Sequence, residues 1–299
     1  MDTRWLEDFV LLAASGSFAR AAETSNLSQA AFGRRIKALE AWVGVPLVDR
    51  SVVPLRLTAQ GKVFRDAAAE ALRVLDEARD TLRGADAGGW AAVRLATGRS
   101  LSLNFVPDWF ERLRARDAAV EARVLTTSTE GISLLVEGAV DVLLSYWTAE
   151  LRLLDEMEFE WLRLGTERLL PVSLPDVQGR PRYPLPGRAG APLPWLRVAE
   201  ATRQGQVVAA RLAAHKPPAN LKPVYEADFS EALADLTLRG LGLTWLPERF
   251  AAPHLASGRL ARAGDDSWDA KMEIRLFRRR NNRRAPVERL WRAAAALPV

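Results

Sequence analysis

The stretch that decides the fold of the N-terminal part is Ser17–Glu40, SFARAAETSNLSQAAFGRRIKALE. Ser17 is a typical N-cap residue, and Phe18 begins a short run with apolar side chains at helical spacing. Asn26 tolerates the left-handed backbone of a tight turn, and Ser28 can cap a second helix. The apolar positions of that second helix are Ala31, Phe32, Ile36 and Leu39. Two short helices joined by a tight turn predict a helix-turn-helix.

The second helix carries a polar and basic outer face, which is typical of a helix that lies in the major groove of DNA. The side chains expected to contact DNA are Ser17, Ser28, Gln29, Ala31, Phe32, Arg34, Arg35, Lys37, Arg50 and Arg56. Residues 28–65 hold seven basic and two acidic side chains, an excess equal to the formal +5 of the whole chain. This local charge favours DNA binding over the alternative, an ordinary helical hairpin with a solvated face.

A predicted wing follows the second helix. The stretch Val43–Leu57, VGVPLVDRSVVPLRL, is rich in β-branched residues and interrupted by glycine and proline. Such a pattern is typical of a short β-hairpin. Arg50 and Arg56 would flank its tip, where they can contact phosphate or enter a minor groove.

These motifs resemble a known family. The run FVLLAASGSFARAAETSNLSQAAFGRRIKALEAWVGVPLVDR, followed by LTAQG, is similar to the winged helix-turn-helix of LysR-type transcriptional regulators over residues 1–65. The chain departs from the usual family pattern at Ala30, where Pro is common, and at Gly33, where Ser is common. Gly33 removes a hydroxyl and costs about 1 kcal/mol in a helix interior. We therefore expect either a different DNA site or weaker binding.

A long helix is predicted from Thr58 to about Arg83. Its apolar residues recur every three or four positions, which is typical of a coiled-coil seam and indicates dimerisation. The seam comprises Phe64, Ala68, Ala71, Leu75, Ala78 and Leu82. The alternative is a helix that lies on the core of its own domain. A two-fold dimer would place two reading helices about 34 Å apart, or a multiple of that.

The sequence predicts four parts: a DNA-binding domain at 1–57, a linker helix at 58–84, a hinge at 85–89 and an effector domain at 90–299. The hinge is glycine-rich, GADAGG. Beyond it, short apolar strands alternate with helices, which predicts an α/β fold with crossover helices. We expect two lobes, with lobe I at about 90–163 and 268–299 and lobe II at about 164–267. Small ligands commonly bind in the cleft that such lobes leave.

The second part is also similar to the LysR-type effector domain, which has the fold of periplasmic binding proteins. The resemblance rests on VPDWF, LLVEGAVDVLLS and LRGLGLTWLPERF. The motifs QAAFGRRIKALE, SLSL, GLTWLPE and APVERLW are closest to the hypochlorite-responsive subgroup, whose members are associated with methionine oxidation or oxidant binding. The methionines here are Met1, Met157 and Met272. With only three methionines, the chain offers few sites for a switch based on thioether oxidation. A role in oxidative stress is therefore implied by the resemblance alone.

Family position indicates which loops at strand ends would line the cleft. The predicted effector-binding residues are Ser100, Ser102, Thr126, Thr127, Ser128, Thr129, Trp147, Thr202 and Arg203. Arg203 can bind a carboxylate or another oxyanion through two hydrogen bonds. Together these groups predict a small effector, an anion or an oxidant, although each hydroxyl could instead be a plain helix cap.

Other classes of function fit less well. The two histidines, His215 and His254, lie far apart, the chain has no cysteine, and no nucleophile or phosphate-loop motif is present. We therefore predict no enzyme activity, no metal and no cofactor. An effector-independent architectural DNA binder remains the alternative. The run Arg278–Arg284, RRRNNRR, is either a solvated surface or a second nucleic-acid patch.

The N-terminal residues lack the apolar core of a signal peptide, and no run approaches a membrane span, so we expect a cytoplasmic protein without a membrane partner. Its expected partners are double-stranded DNA, a small-molecule effector, a second copy of the chain and RNA polymerase. The family resemblance implies a homotetramer built from two kinds of dimer. The chain thus resembles a LysR-type transcriptional regulator that binds DNA in a sequence-specific manner.

Overall fold

A computed structural model describes residues 2–51, 55–82, 92–127, 129–149, 154 and 157–298. The chain forms two compact units, the first of residues 1–94 and 132–141, the second of residues 95–131 and 142–299. The predicted hinge at 85–89 lies outside the described residues. Within the part of the chain that is described, no helix is both long and apolar enough to cross a bilayer.

The first unit begins with three helices and a small hairpin. Its elements are α1 (Thr3–Ser15), α2 (Phe18–Thr24), α3 (Gln29–Val43), β1 (Val48–Asp49), β2 (Arg56–Leu57) and α4 (Ala59–Leu82). The predicted caps are confirmed, because the Ser17 hydroxyl accepts from the Arg20 amide and the Ser28 hydroxyl accepts from the Ala31 amide. Asn26 has the expected positive φ, 52°. The strands β1 and β2 pair antiparallel, as predicted for a wing.

The core of this unit fixes the direction of α3. Phe9 and Leu12 of α1 are completely buried together with Phe32, Ile36 and Leu39 of α3. Burial of a Leu, Ile or Phe side chain contributes about 1.5–3 kcal/mol. The opposite side of α3 is therefore held outward.

The predicted coiled-coil seam of α4 is wrong in its first two turns. Ala68 is buried in the core of the first unit, and Phe64 packs against the same core. Ala71 and Leu75 are exposed as predicted, whereas the side chains of Ala78 and Leu82 lie outside the description. The exposed apolar stripe of α4 is instead Val63, Ala67, Ala71, Val74 and Leu75. The reason is that Phe64 and Ala68, each one residue further along the helix than Val63 and Ala67, pack into the core of the first unit.

The second unit is a mixed α/β fold. Its strands are β3 (Val93–Thr97), β4 (Ala122–Thr126), β5 (Val142–Trp147), β6 (Phe159–Ser173), β7 (Leu193–Val198), β8 (Leu221–Ala227), β9 (Thr244–Pro247), β10 (Ala261–Arg262) and β11 (Ala270–Arg279). Its helices are α5 (Arg99–Asn104), α6 (Val106–Arg116), α8 (Arg203–Ala214), α9 (Glu231–Leu238), α10 (Glu248–Ala256) and α11 (Ala285–Ala295), whereas α7 (Gly131–Glu137) belongs to the first unit from residue 132 onward.

The main sheet has the strand order β10-β6-β11-β5-β3-β4, with β9 also paired to β6. β3 and β5 are parallel, as the crossover pattern predicts, whereas β11 runs antiparallel to both of its neighbours. β7 and β8 form a parallel pair, and backbone hydrogen bonds join β7 to Leu243, the residue before β9. We call β3–β5, β11 and the start of β6 the first lobe, and β7–β9 with the end of β6 the second lobe.

Two elements depart from a simple alternation of short strands and helices. Residues 99–116 form two helices, because the backbone leaves the helix at Phe105. β6 is one strand of fifteen residues that serves both lobes. The proline-rich segment 175–194 is mostly irregular.

Candidate DNA-binding surface and effector cleft

The outward side of α3 is polar and basic. Gln29, Arg34 and Lys37 are all exposed, at spacing that places them on one side of the helix. Among the described residues, neither Arg34 nor Lys37 has a carboxylate partner. A helix with unpaired cations on a face held away from the core is what contact with the DNA major groove requires.

Two α3 residues expected at this surface have other roles. Phe32 is completely buried and packs edge-on against Phe18, so its assignment to DNA contact is wrong. Arg35 donates to the buried carboxylate of Asp8 at 3.0 Å, which ties α3 to α1. Asp8 also accepts from the Ser25 hydroxyl. The ion pair holds the guanidinium of Arg35 against the first unit.

The remaining predicted contacts lie around α3. The hydroxyls of Ser17 and Ser28 cap α2 and α3, and Ala31 is half-exposed. Arg50 forms an ion pair of 3.1 Å with Glu40 and stacks over Phe18. Arg56 is exposed on β2, with no ion pair to the described residues. The wing tip between these two arginines, residues 52–54, lies outside the description.

Gly33 lies in α3 at a position with room for a side chain, since a Cβ there would have no atom within 4 Å. Replacing Gly33 by Ala is therefore expected to stabilise the protein by about 1 kcal/mol, the usual helix-interior difference. Urea unfolding followed by circular dichroism measures it. Gly44→Ala is the control: it also meets no atom, but its φ is +83°, so we expect a loss of about 1–2 kcal/mol. A loss of stability in Gly33→Ala would contradict the prediction.

The second unit holds a buried polar network between its lobes. The Ser100 hydroxyl lies 2.5 and 2.6 Å from the two carboxylate oxygens of Glu231. The amide of Asn104 donates to Glu231 at 2.6 Å, and that of Gln204 donates to Ser100 at 3.0 Å. The Ser230 hydroxyl donates to Gln204 at 3.1 Å. Ser100 thus lies in the cleft, as predicted, but its hydroxyl already has a carboxylate partner.

Beside this network lies the side chain of Tyr146. It is buried, and its hydroxyl makes no hydrogen bond to any residue in the described part of the chain. Burial raises the pKa of Tyr146 well above its ordinary value, and the nearby carboxylates of Glu167 and Glu231 raise it further, while Arg249 and the side chain of Gln204, which lies close to the hydroxyl, oppose the shift. Burial likewise raises the pKa of Glu167, while Arg249, 3.2 Å away, opposes that shift. The Thr97 hydroxyl is a second buried group without a hydrogen bond in the described structure.

Trp147 does not share this position. Its indole stacks on the guanidinium of Arg275, whose Cζ lies 3.2 Å from the ring centroid of Trp147. The same Cζ lies 3.5 Å from the ring centroid of Trp161. Successive residues of a strand point to opposite faces, so Tyr146 takes the place expected for Trp147. The assignment of Trp147 to the cleft is therefore wrong.

The other predicted cleft residues are dispersed. Thr202 caps α8 by accepting from the Gly205 amide, and the guanidinium of Arg203 donates to Gln206. Burial alone lowers the pKa of Arg203. Ser102 and Thr126 approach each other at 3.5 Å. Thr127 and Thr129 both contact Glu130, and Ser128 lies outside the described residues.

The basic run at the end of β11 is a salt-bridge surface. Arg278 is buried between Glu160 and Glu288, at 2.7 and 3.1 Å, and lies over Trp291. Arg283 pairs with the same two glutamates. Arg278 and Arg279 are thus buried ion-pair partners, so neither a solvated surface nor a second nucleic-acid patch describes them.

Two family models match the chain. One, for the bacterial regulatory helix-turn-helix protein of the lysR family, matches residues 3–62. The other, for the LysR substrate binding domain, matches residues 91–297, more than half of the chain. The chain belongs to the LysR family of transcriptional regulators. It is thus a DNA-binding regulator with a C-terminal effector-binding domain, and not an enzyme.

Full-length LysR-family relatives are similar throughout. The HTH-type transcriptional regulator YjiE of Escherichia coli K12 is 31% identical over 301 residues, covering 100% of this chain and 96% of that protein. The structure of DarR from Vibrio fischeri in complex with DNA has 29% identity and a TM-score of 0.62, covering 100% and 99% of the two chains. The structure of HypT from Salmonella typhimurium, described as a hypochlorite-specific LysR-type regulator, also has 29% identity and a TM-score of 0.62, covering 99% and 97%.

In this LysR-family protein, sequence reasoning missed Tyr146, Gln204 and Glu231. The alternation of β5 offered a signal for Tyr146, since its neighbour Leu144 is apolar and buried on the same face of the strand. No local pattern signalled Glu231, because its partner Ser100 is 131 residues away in the chain. Among the described residues, no group of three or more His, Asp or Glu side chains could hold a metal ion.

Proposed function

We propose that this LysR-family regulator reads its operator through Gln29, Arg34 and Lys37 of α3, with Arg56 of the wing on the phosphate backbone or in a minor groove. The observation that supports this most is that Arg34 and Lys37 are exposed on the outward side of α3 and have no carboxylate partner in the described part of the chain. Arginine commonly reads guanine through two hydrogen bonds, whereas lysine next to it can neutralise phosphate. Because chromosomal DNA is the proposed partner, the cytoplasm is the proposed compartment.

We propose a homodimer formed through α4, and a tetramer in which the effector domains supply the second contact. The support is the exposed apolar stripe of α4 defined above. Leucine and valine exposed side by side on a long helix are typical of a surface covered by a second copy. Two reading helices on one dimer would match a two-fold symmetric site, and RNA polymerase is the proposed further partner at the promoter.

Replacing Leu75 by Glu is expected to dissociate this dimer. Leu75 is 51% exposed in the monomer, so the change leaves the monomer core intact, while an unpaired carboxylate inside the interface is costly. Sedimentation velocity should show at least about a tenfold weaker association. Val177→Glu, an exposed apolar residue of the second unit, is the control and should leave association unchanged. An unchanged profile for Leu75→Glu would exclude α4 as the interface.

We also propose that a small effector in the cleft changes the geometry of the dimer. An oxidant response is a second candidate, supported by the similarity to HypT and by Met157, which is 84% exposed. Met272 is buried and so poorly placed for oxidation. Chemistry at Met157 would convert its thioether to a sulfoxide.

Footprinting on the protein's own promoter and divergent neighbour, with and without hypochlorite, tests both proposals. A protected, roughly palindromic site supports the regulator, and a pattern that changes with oxidant in wild type but not in Met157→Leu supports the oxidant response. A site that ignores oxidant leaves small metabolites as effectors. The absence of any protected site would contradict the assignment of α3 to DNA reading. Ala30 and Gly33 would then be the first residues to change to the Pro and Ser of the family pattern.

A further inference from the structure

A carboxylate of the protein itself, that of Glu231, bridges the cleft between the two lobes. Ser100 and Asn104 belong to α5, which follows β3 of the first lobe. Glu231 begins α9 between β8 and β9 of the second lobe, and both of its oxygens lie within 2.6 Å of the Ser100 hydroxyl. The contact therefore joins the two lobes.

Glu231 is held as a ligand would be held, by neutral donors. Its donors are the Ser100 hydroxyl and the Asn104 amide, whereas the Ser230 hydroxyl, 3.4 Å away, gives its hydrogen to Gln204. Among the described residues, none of the arginines or lysines forms an ion pair with it. The surrounding donors are ordered by further bonds, because Gln204 donates to Ser100 and accepts from Ser230, and these three side chains are buried.

Unsatisfied polar groups lie next to this contact. Within the described residues, the buried Tyr146 hydroxyl, which has Gln204 close by, makes no hydrogen bond, and neither does the buried Thr97 hydroxyl on the strand that leads into α5. Buried polar groups without partners are rare, and each is costly unless something binds it. Glu231 thus fills the carboxylate position but leaves adjacent hydrogen-bonding capacity unused.

We propose that Glu231 is a tethered internal ligand that occupies the carboxylate subsite formed by Ser100 and Asn104. This inference rests on the proposed effector role of the cleft. Glu231 is fixed at the start of α9, so it occupies the subsite without the loss of translational and rotational freedom that a free acid must pay, and a simple monocarboxylate competes with it poorly in the wild-type protein. An effector acid must make additional contacts, and the Tyr146 hydroxyl, which makes no hydrogen bond within the described residues, is a group available for them.

Chemical rescue tests the proposal. Glu231→Ala empties the subsite, so the full-length variant should unfold several degrees below wild type, and sodium acetate should restore the loss with a saturating dose dependence. Sodium chloride at equal ionic strength should not restore it. Wild type should not respond to acetate beyond the general salt effect. The matched control is Asp235→Ala, which removes an exposed carboxylate one turn along the same helix.

A double variant separates a ligand subsite from a general loss of packing. Ser100→Ala combined with Glu231→Ala should lose the acetate rescue, because the principal donor is gone. Equal acetate responses in wild type, Glu231→Ala and Asp235→Ala would overturn the proposal, as would an unchanged melting temperature in Glu231→Ala. If Glu231→Ala does not fold, recovery of folded protein by acetate during refolding supports the subsite, and failure to recover overturns it.

The same proteins distinguish this failure from a failure of the proposed function. Operator binding by wild type, measured by gel shift without acetate, depends on α3 and not on Glu231. Loss of rescue with intact operator binding rejects only the internal ligand. Normal rescue without operator binding rejects only the DNA-reading proposal.

Discussion

Arg34→Ala is expected to weaken binding to the operator about 5- to 150-fold, which corresponds to the roughly 1–3 kcal/mol of a base-specific arginine contact. The folded protein should be unaffected, because Arg34 is exposed on α3 and has no partner among the described residues. Fluorescence anisotropy with operator and with random DNA of equal length measures both affinities. The loss should fall on the operator and leave random DNA nearly unchanged.

The salt dependence adds a second readout for Arg34. Losing one phosphate contact lowers the slope of log K against log salt by about 0.9, whereas losing a base contact leaves the slope nearly constant. Lys37→Ala should show the phosphate pattern, with similar weakening on both DNAs. Arg239→Ala, an exposed arginine of the second unit, serves as the charge control. Equal losses on both DNAs would reassign Arg34 to phosphate.

Gly61→Ala is expected to destabilise the first unit by about 3 kcal/mol or more, the upper part of the range for overpacking. A Cβ at Gly61 would lie 1.9 Å from the carbonyl oxygen of Leu47 and 2.9 Å from its carbonyl carbon. Both are backbone atoms next to a completely buried side chain, so neither can rotate away. The measurements are urea unfolding and operator binding at a temperature where wild type is folded.

Gly33→Ala is the matched comparison for Gly61→Ala, since it makes the same chemical change in a neighbouring helix of the same unit. A Cβ at Gly33 meets open space, whereas a Cβ at Gly61 collides with the backbone of Leu47. Opposite signs of the stability change are therefore expected from one substitution type. A Gly61→Ala protein as stable as wild type would mean that α4 can move away from Leu47 at little cost.

The helix-turn-helix could be predicted because its determinants are local. The Ser17 and Ser28 caps, the positive φ of Asn26 and the apolar face of α3 each depend on residues a few positions apart. The two-lobed α/β fold was also accessible, since the rhythm of apolar strands and helices repeats along the chain. In both cases the periodicity of the sequence reports the face that packing will bury.

Errors arose where tertiary partners decide. Phe64 and Ala68 satisfy a heptad pattern and a domain core equally well, and the core of α1 and α3 claims them. Arg35 looked like a free basic side chain until the fold brought Asp8 to it from 27 residues away. Trp147 and Tyr146 are adjacent aromatic residues, and only the pleat of β5 decides which one enters the cleft.

The long strand β6 has a mechanical consequence. Leu169 is the residue at which its pairing with β11 ends and its pairing with β9 begins, through Ala270 on one side and Pro247 on the other. Its side chain is completely buried. A change of angle between the lobes must therefore pass through the twist of a strand that both share. Any such change of angle would therefore twist β6 near Leu169.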